Sequence, residues 1–324
     1  MAKNSEKKKM NFLLLLPILA IVFVSGCTFP GGGTDTSKGP GVVIKSFIPE
    51  LDNVRSNEEV NLRGEIQNQG EARARNVVAE LINIDVNEWG GFGTIAFQNL
   101  GDLLPFDPVA KTPGQTKQVA FTKLRAPSLP KNVQFTYEPT LRISYDYSTS
   151  TIKPISAIDA DELTNIRLRG GTLPTKPTQF TAGPLSVDIK TGDFVTTQDQ
   201  FGTTYDIFPV NIRIDNTQWA SGGTVEPEVL AIGQERYPVR VKIEPPSWAT
   251  FVFTGFSGSQ DCGSFLTVDL FRGSNAEITC ELQVISPPTV RTEGQIKVDL
   301  EYRYHIDKPT QIRVTGTQPA GSLF

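Results

Sequence analysis

Short stretches of alternating apolar and polar residues occur along the chain from Val42 to Val314. In two of them the alternation ends at an asparagine: Val60, Leu62 and Ile66 lead to Asn68, and Phe208, Val210, Ile212 and Ile214 lead to Asn216. Period-two alternation predicts strands with one buried face and one solvated face. Glycine, proline and asparagine separate the stretches, as they do between short strands of antiparallel sandwiches. The pattern therefore predicts an all-β fold.

The predicted strands occur twice in the same order. Gly-Pro precedes a short strand in each copy, at Val42–Lys45 and at Val187–Lys190. The spacing from Asn68 to Val77 equals the spacing from Asn216 to Val225, and the closing segments Leu141–Tyr147 and Val298–Tyr304 also match. Agreement in order and spacing predicts a tandem duplication.

The duplication sets the predicted domain boundaries: an immunoglobulin-like β-sandwich at residues 42–159, a linker at 160–183, a second sandwich at 184–316 and a frayed tail at 317–324. In the linker, Asp159 precedes Ala160 as a helix N-cap residue and Glu162 follows three positions later, which predicts one helical turn. Long insertions at residues 83–109 and 248–258 are predicted loops.

A family resemblance rests on the run Val60–Gly70, which ends in Asn-Gln-Gly, followed by the alternating run Ala74–Leu81. These segments resemble the CARDB type of bacterial and archaeal immunoglobulin-like domains. The second copy departs from that pattern, because Asn216-Thr217-Gln218 lacks the glycine. The resemblance implies a surface adhesion, stalk or scaffold module and supplies no catalytic residues.

The amino-terminal region has the order of a secretory signal. Four lysines lie within the first nine residues, and an apolar run of 13 residues follows at 12–24. That length is within the roughly 7–15 residues of a signal peptide and below the ~20 of a membrane-spanning helix. Ser25-Gly26-Cys27 resembles the lipobox of prokaryotic lipoproteins, which implies cleavage after residue 26 and a lipid on Cys27. An ordinary signal peptide or an uncleaved anchor is the alternative.

Residues 27–41 are rich in glycine, threonine and proline and form a predicted flexible tether. Loss of residues 1–26 would change the net charge from −4 to −7, since that segment carries four lysines and one glutamate. A mildly acidic chain without basic blocks argues against nucleic-acid binding. The predicted location is outside the cytoplasm, with the membrane contacted through lipid on Cys27.

Two cysteines, Cys262 and Cys280, remain once Cys27 is assigned to lipid. Outside the cytoplasm they are expected to pair as a disulfide. A metal site is the rival interpretation, but two cysteines without a nearby histidine do not complete a zinc shell.

Catalytic motifs are missing from the sequence. The single histidine, His305, lies on a predicted closing strand, where we expect a partly exposed structural role. We therefore predict a protein without enzymatic activity, cofactor or metal. Carboxylates near residues 85–88, 159–162 and 188–193 offer alternative calcium sites, although none fits the EF-hand spacing.

Aromatic residues in the predicted loops are the remaining candidates for recognition. Trp89 and Phe92 flank Gly90-Gly91 and suggest a loop tip that contacts a ligand, with burial of Trp89 in the core as the alternative. Trp248, Phe251 and Phe253 are expected to fill the second core instead. The sequence thus predicts a lipid-anchored binding or scaffold module, with an envelope protein or a surface glycan as partner. An accessory subunit of an envelope machine and a carbohydrate-binding surface protein are the alternatives.

Overall fold

The computed structural model describes residues 39–85, 88–91, 96–173, 176–196, 206–231, 234–253, 260–285 and 291–317. Residues 37–324 form one compact unit. The described part consists mainly of antiparallel strand pairs, with two parallel pairs and one short α-helix, which confirms the predicted all-β class.

The first half contains strands β1 Val42–Pro49, β2 Asn53–Arg55, β3 Glu59–Asn68, β4 Ala74–Ile82, β5 Phe97–Leu103, β6 Thr116–Arg125, β7 Gln134–Tyr137 and β8 Thr140–Asp159, then helix α1 Ala160–Leu168. The second half contains β9 Gln179–Phe180, β10 Leu185–Thr191, β11 Phe194–Thr196, β12 Ile207–Asn216, β13 Thr224–Val225, β14 Glu228–Ala231, β15 Gln234–Arg236, β16 Pro238–Glu244, β17 Ala249–Val252, β18 Leu266–Asp269, β19 Asn275–Val284, β20 Arg291–Pro309 and β21 Ile312–Thr315. A short 3₁₀ turn lies at Trp219–Ser221.

A nine-stranded sheet connects the two halves of the chain. Its main strand order is β18-β16-β20-β8-β4-β5, and β9, β11 and β13 pair with its central strands. Two smaller sheets, β1-β3-β6 and β10-β12-β19-β17, carry alternating buried side chains. The Leu185 amide of β10 donates to the Tyr302 hydroxyl of β20 at 3.4 Å, so β10 lies against the inner face of the large sheet.

Strands β8 and β20 pair antiparallel along 19 residue positions. Tyr147 lies opposite Tyr302, and Tyr145 lies opposite Tyr304. The tyrosines of the two strands therefore face one another with approximate two-fold symmetry. The centre of that symmetry is the facing pair Asp146 and Arg303. Both strands are much longer than the seven-residue matches because each provides the other's hydrogen-bonding edge.

Strands β3 and β12 each end at a buried asparagine. The Asn68 side chain donates to the carbonyl of Ala72 at 2.8 Å and accepts from the Gly70 amide at 3.1 Å. The Asn216 side chain donates to the carbonyls of Gly223 and Gly273 at 3.0 and 2.9 Å. Because the amide group satisfies backbone groups of the following turn, it stabilises the chain reversal.

Four tyrosines of β8 and β20 (Tyr145, Tyr147, Tyr302 and Tyr304) form a buried array beneath the large sheet. Neighbouring ring centroids are 5.8–6.2 Å apart, within the range of edge-on and tilted aromatic contacts. Burial raises the pKa of all four hydroxyls, so they stay neutral. The array contributes apolar packing exactly where the two halves of the chain meet.

The linker and the insertions contain more regular structure than the sequence predicts. Helix α1 has nine residues in place of the expected single turn, although the predicted cap is confirmed: the Asp159 carboxylate accepts from the Asp161 amide at 2.9 Å. Strand β5 lies inside the insertion at residues 83–109, and β17 lies inside the one at 248–258. Residues 318–324 of the predicted tail lie outside the described part.

Candidate functional site

Two of the residues predicted to act at a site, Cys27 and Phe92, lie outside the described residues. In the part of the chain that the structure describes, no helix is long and apolar enough to cross a membrane. Lipidation of Cys27 therefore stays a prediction from the sequence.

Trp89 corrects the prediction of an exposed loop tip. Its side chain is only 2% exposed and packs edge-on against the Tyr137 ring, with 5.3 Å between centroids. Gly90 exchanges two backbone hydrogen bonds with Arg125 of β6. Gly91 has a φ of +84°, and a Cβ there would lie 2.0 Å from the Lys123 carbonyl oxygen. The glycines thus let this segment lie close to β6, which turns Trp89 into the core.

The predicted disulfide is present: Cys262 and Cys280 are bonded and both are buried. Trp248 is buried, as expected, whereas Phe253 is exposed, so the prediction that it fills the core is wrong. His305 is also more buried than expected for a partly exposed strand residue. It faces Ser144 of β8 and Thr224 of β13, which cover it on both sides.

The calcium alternatives gain no geometric support. Among the described residues, no group of three histidine, cysteine, aspartate or glutamate side chains is placed to hold a metal ion. Asp159 caps α1, and Asp188 lies 3.8 Å from the Lys190 ammonium.

The candidate site lies on the outer face of the nine-stranded sheet, opposite the tyrosine array. Two adjoining depressions of about 720 and 450 Å³ share Arg240 and Glu301 in their linings. We name them together the shared groove. Its floor consists of polar side chains of β8 and β20: Asp146, Ser148, Ser150, Asp299, Glu301 and Arg303. Both halves of the chain therefore contribute to one surface.

The floor of the shared groove is organised by cross-strand pairing. Three strands and the residue that follows β13 contribute a row that alternates in charge: Arg75, Asp146, Arg303 and Glu226. Arg303 lies 3.1 Å from the Asp146 carboxylate and also forms an ion pair with Glu226. In the next row, Glu301 lies between Ser148 and Arg240, with 3.4 Å to the Arg240 guanidinium. Directly opposed charges of opposite sign stabilise neighbouring strands.

The third row continues this arrangement. Ser150 donates to Asp299 at 2.7 Å, and the Lys297 ammonium lies 2.7 Å from the same carboxylate. At the rim, the Phe265 ring lies 5.6 Å from the Arg240 guanidinium and 5.9 Å from the Lys242 ammonium. The groove thus combines paired charges, hydroxyl groups and one exposed aromatic ring.

The sequence alone does not predict the shared groove, although it contains part of the pattern that forms it. The positions between the buried residues of Leu141–Tyr147 and Val298–Tyr304 are polar and charged. Only the pairing of β8 with β20 places those positions side by side. Strand register between segments about 150 residues apart is not encoded in local alternation.

Comparison with known proteins adds no family to this geometry. No protein-family model matches the chain, and no curated protein matches it by sequence. The similarity to CARDB-type domains accordingly remains a prediction based on Val60–Leu81, and the function has to be argued from the site.

Proposed function

We propose that this protein is a non-catalytic binding module held outside the cytoplasm by lipid on Cys27, with the shared groove as its ligand-binding surface. The observation that carries the proposal is the position of the groove, which spans the junction of both halves of the chain. A surface built on paired central strands is held rigidly, because its backbone and the buried tyrosines beneath it leave little freedom.

The proposed lipid anchor and the tether would keep the groove close to the membrane. A diacylglycerol on Cys27 would hold the protein durably, whereas a single short chain binds membranes only marginally. The predicted tether, residues 27–41, would then let the folded part reach ligands close to the membrane. Confinement near the membrane raises the effective concentration, so weak binding in the groove is sufficient.

One experiment with two variants tests both parts of the proposal. Full-length wild-type protein, Cys27→Ser and Ser148→Trp are expressed in the native host, the envelope is fractionated, and bound components are captured with the protein. We expect Cys27→Ser to leave the membrane fraction. We expect Ser148→Trp to stay in that fraction but to lose the captured component, because an indole on the groove floor occupies the ligand's space.

Two outcomes would contradict the proposal. Unchanged membrane partitioning of Cys27→Ser would refute lipid anchoring at this residue. Retention of every captured component by Ser148→Trp would show that the groove is not the binding surface. Ser46→Trp on β1 is a control for the effect of an added indole, because Ser46 lies outside the groove.

A second candidate function, an accessory subunit of an envelope machine, is favoured by one feature. The hairpin β14–β15 is inserted between β13 and β16, and it exposes Val229 and Leu230 in succession. Consecutive exposed apolar residues on a projecting hairpin are typical of a protein contact. If the protein is such a subunit, replacing Val229 and Leu230 with serine would abolish a stoichiometric protein complex. The same replacement would leave ligand binding in the shared groove unchanged.

A further inference from the structure

We infer that the ligand of the shared groove is an uncharged chain rich in hydroxyl groups, which in chemical terms is a neutral oligosaccharide. The inference rests on the proposed function, since it names the ligand class for the same surface. Three properties of the groove carry it: the balance of its charges, the supply of hydrogen-bonding groups and the aromatic ring at its rim.

Most charged groups of the groove are paired locally: Lys242 pairs with Glu244, and Glu228 adds one further carboxylate to the lining. Asp146 and Glu226 surround Arg303, Glu301 faces Arg240, and Asp299 contacts Lys297. An anionic ligand would reach each of these cations only beside a carboxylate that already occupies it. A cationic ligand would reach each carboxylate only beside an arginine or lysine that already pairs with it. Repulsion by like charges and loss of existing ion pairs therefore disfavour charged ligands in either case.

A neutral ligand with hydroxyl groups does not disturb these pairs. Each hydroxyl both donates and accepts, so it can bond to the remaining carboxylate lone pairs and guanidinium N–H groups. Hydrogen bonds to charged partners are stronger than those between neutral groups. Ser148 on the floor adds a further donor and acceptor in the middle of the groove. The floor thus offers many partners for hydroxyl groups without favouring either sign of charge.

Phe265 supplies the apolar contact that such a ligand needs. Its ring is 62% exposed at the rim of the smaller depression. Sugar rings carry an apolar face of C–H groups, and an exposed aromatic ring offers a flat apolar surface on which that face can stack. The adjacent Arg240 and Lys242 hold the ring beside the polar floor.

The shape of the groove fits an extended chain. From Asp146 to Ser150 the floor follows β8 over four residue steps, which is about 14 Å at the rise of an antiparallel strand. Pro227 and Pro238 lie along one side, and Ala72 and Thr181 lie along the other. A linear ligand placed along the strands would contact all three charged rows in succession.

The test uses full-length protein in detergent on an array of immobilised oligosaccharides that includes neutral, sulfated and phosphorylated members. We expect binding to at least one neutral member and a change of less than about twofold between 0.05 and 0.5 M NaCl, because screening acts on charged ligands. Phe265→Ala should weaken that binding at least about tenfold, which corresponds to about 1.4 kcal/mol. Ser148→Trp should abolish it.

Phe271→Ala is the matched control. Phe271 is 67% exposed and lies at the other end of β18, and an arginine contacts its ring too, but it does not line the groove. The affinity of the Phe271→Ala protein for the oligosaccharide should stay within about twofold of wild type, because Phe271 is a surface residue outside the proposed contact. Circular dichroism and melting temperature confirm that each variant is folded.

The outcomes separate this inference from the proposed function. Binding restricted to sulfated or phosphorylated members, or equal losses in both phenylalanine variants, would overturn the oligosaccharide assignment. If no oligosaccharide binds but Ser148→Trp still loses an envelope protein in the capture experiment, the ligand class is wrong and the groove remains the binding surface. If Ser148→Trp changes neither assay, both proposals fail.

Discussion

The buried tyrosine array allows a prediction in which three nearly identical substitutions have different costs. Each tyrosine is changed to phenylalanine, which removes one hydroxyl and keeps the ring. Tyr147 accepts from the Ala72 amide at 3.2 Å and donates to the Ala182 carbonyl at 3.1 Å. Tyr304 donates to the Asn216 side-chain oxygen at 2.7 Å. The Tyr145 hydroxyl interacts with the Val42 backbone, but among the described residues it has no partner in normal hydrogen-bond geometry.

The expected loss in the free energy of unfolding depends on which buried groups lose a hydrogen-bond partner when each hydroxyl is removed. Loss of the Tyr147 hydroxyl removes the partner of the Ala72 amide, so Tyr147→Phe should cost about 2 kcal/mol in the free energy of unfolding. After Tyr304→Phe, the Asn216 oxygen still accepts from the Gln218 amide at 3.0 Å. That variant should therefore cost about 1 kcal/mol, the net value of one hydrogen bond. Tyr145→Phe removes a hydroxyl that has only a weak interaction with the Val42 backbone, so its stability loss should be the smallest of the three and below about 1 kcal/mol.

The measurement is urea unfolding of full-length wild-type protein and the three variants, with the disulfide oxidised, followed by tryptophan fluorescence. Equal slopes would show that the midpoints report stability alone. The predicted order of stability loss is Tyr147→Phe, then Tyr304→Phe, then Tyr145→Phe. Equal losses in all three, or the largest loss in Tyr145→Phe, would refute the assignment of these hydrogen bonds as the source of the difference.

Two further predictions concern the disulfide and the buried histidine. Replacing both Cys262 and Cys280 with serine should destabilise the protein by about 3 kcal/mol, because the bond closes a loop with a sequence separation of 18; a loss below about 1 kcal/mol in urea unfolding would contradict this. Burial lowers the pKa of His305, and the nearby Arg142 lowers it further, while Asp307 and Glu226 raise it. Because the unfolded chain binds this proton more readily, stability should fall as pH decreases below about 6.5. His305→Phe should remove that part of the pH dependence, and identical pH profiles of stability for both proteins would show that His305 does not contribute.

The sequence predicts the strands well where the local pattern is sufficient. Alternation correctly indicated the strands that end at Asn68 and Asn216, since each has one buried face and a turn-forming residue at its end. The Asp159 cap was also predictable, because capping depends on residues within three positions of each other. These features are local, so a single sequence contains them.

Features that depend on distant pairing were missed or predicted incorrectly. His305 is buried because Ser144 and Thr224 flank it across strands, and no local pattern indicates those neighbours. Trp89 was expected at a loop tip because two glycines follow it. Those glycines instead allow close approach to β6, which depends on a strand about 30 residues away.

The pairing of β8 with β20 also determines how the proposed binding surface depends on the whole chain. Separating the chain at the linker would expose the edge of β8 along 19 residue positions, and exposed long edges promote aggregation. It would also divide the groove, because Asp146 and Arg303 come from opposite sides of the cut. The second half alone keeps the Glu301–Arg240 and Asp299–Lys297 pairs, but it lacks the floor residues of β8, which are Asp146, Ser148 and Ser150. Ligand binding in the shared groove should therefore require both halves together, and neither half alone is a valid test of it.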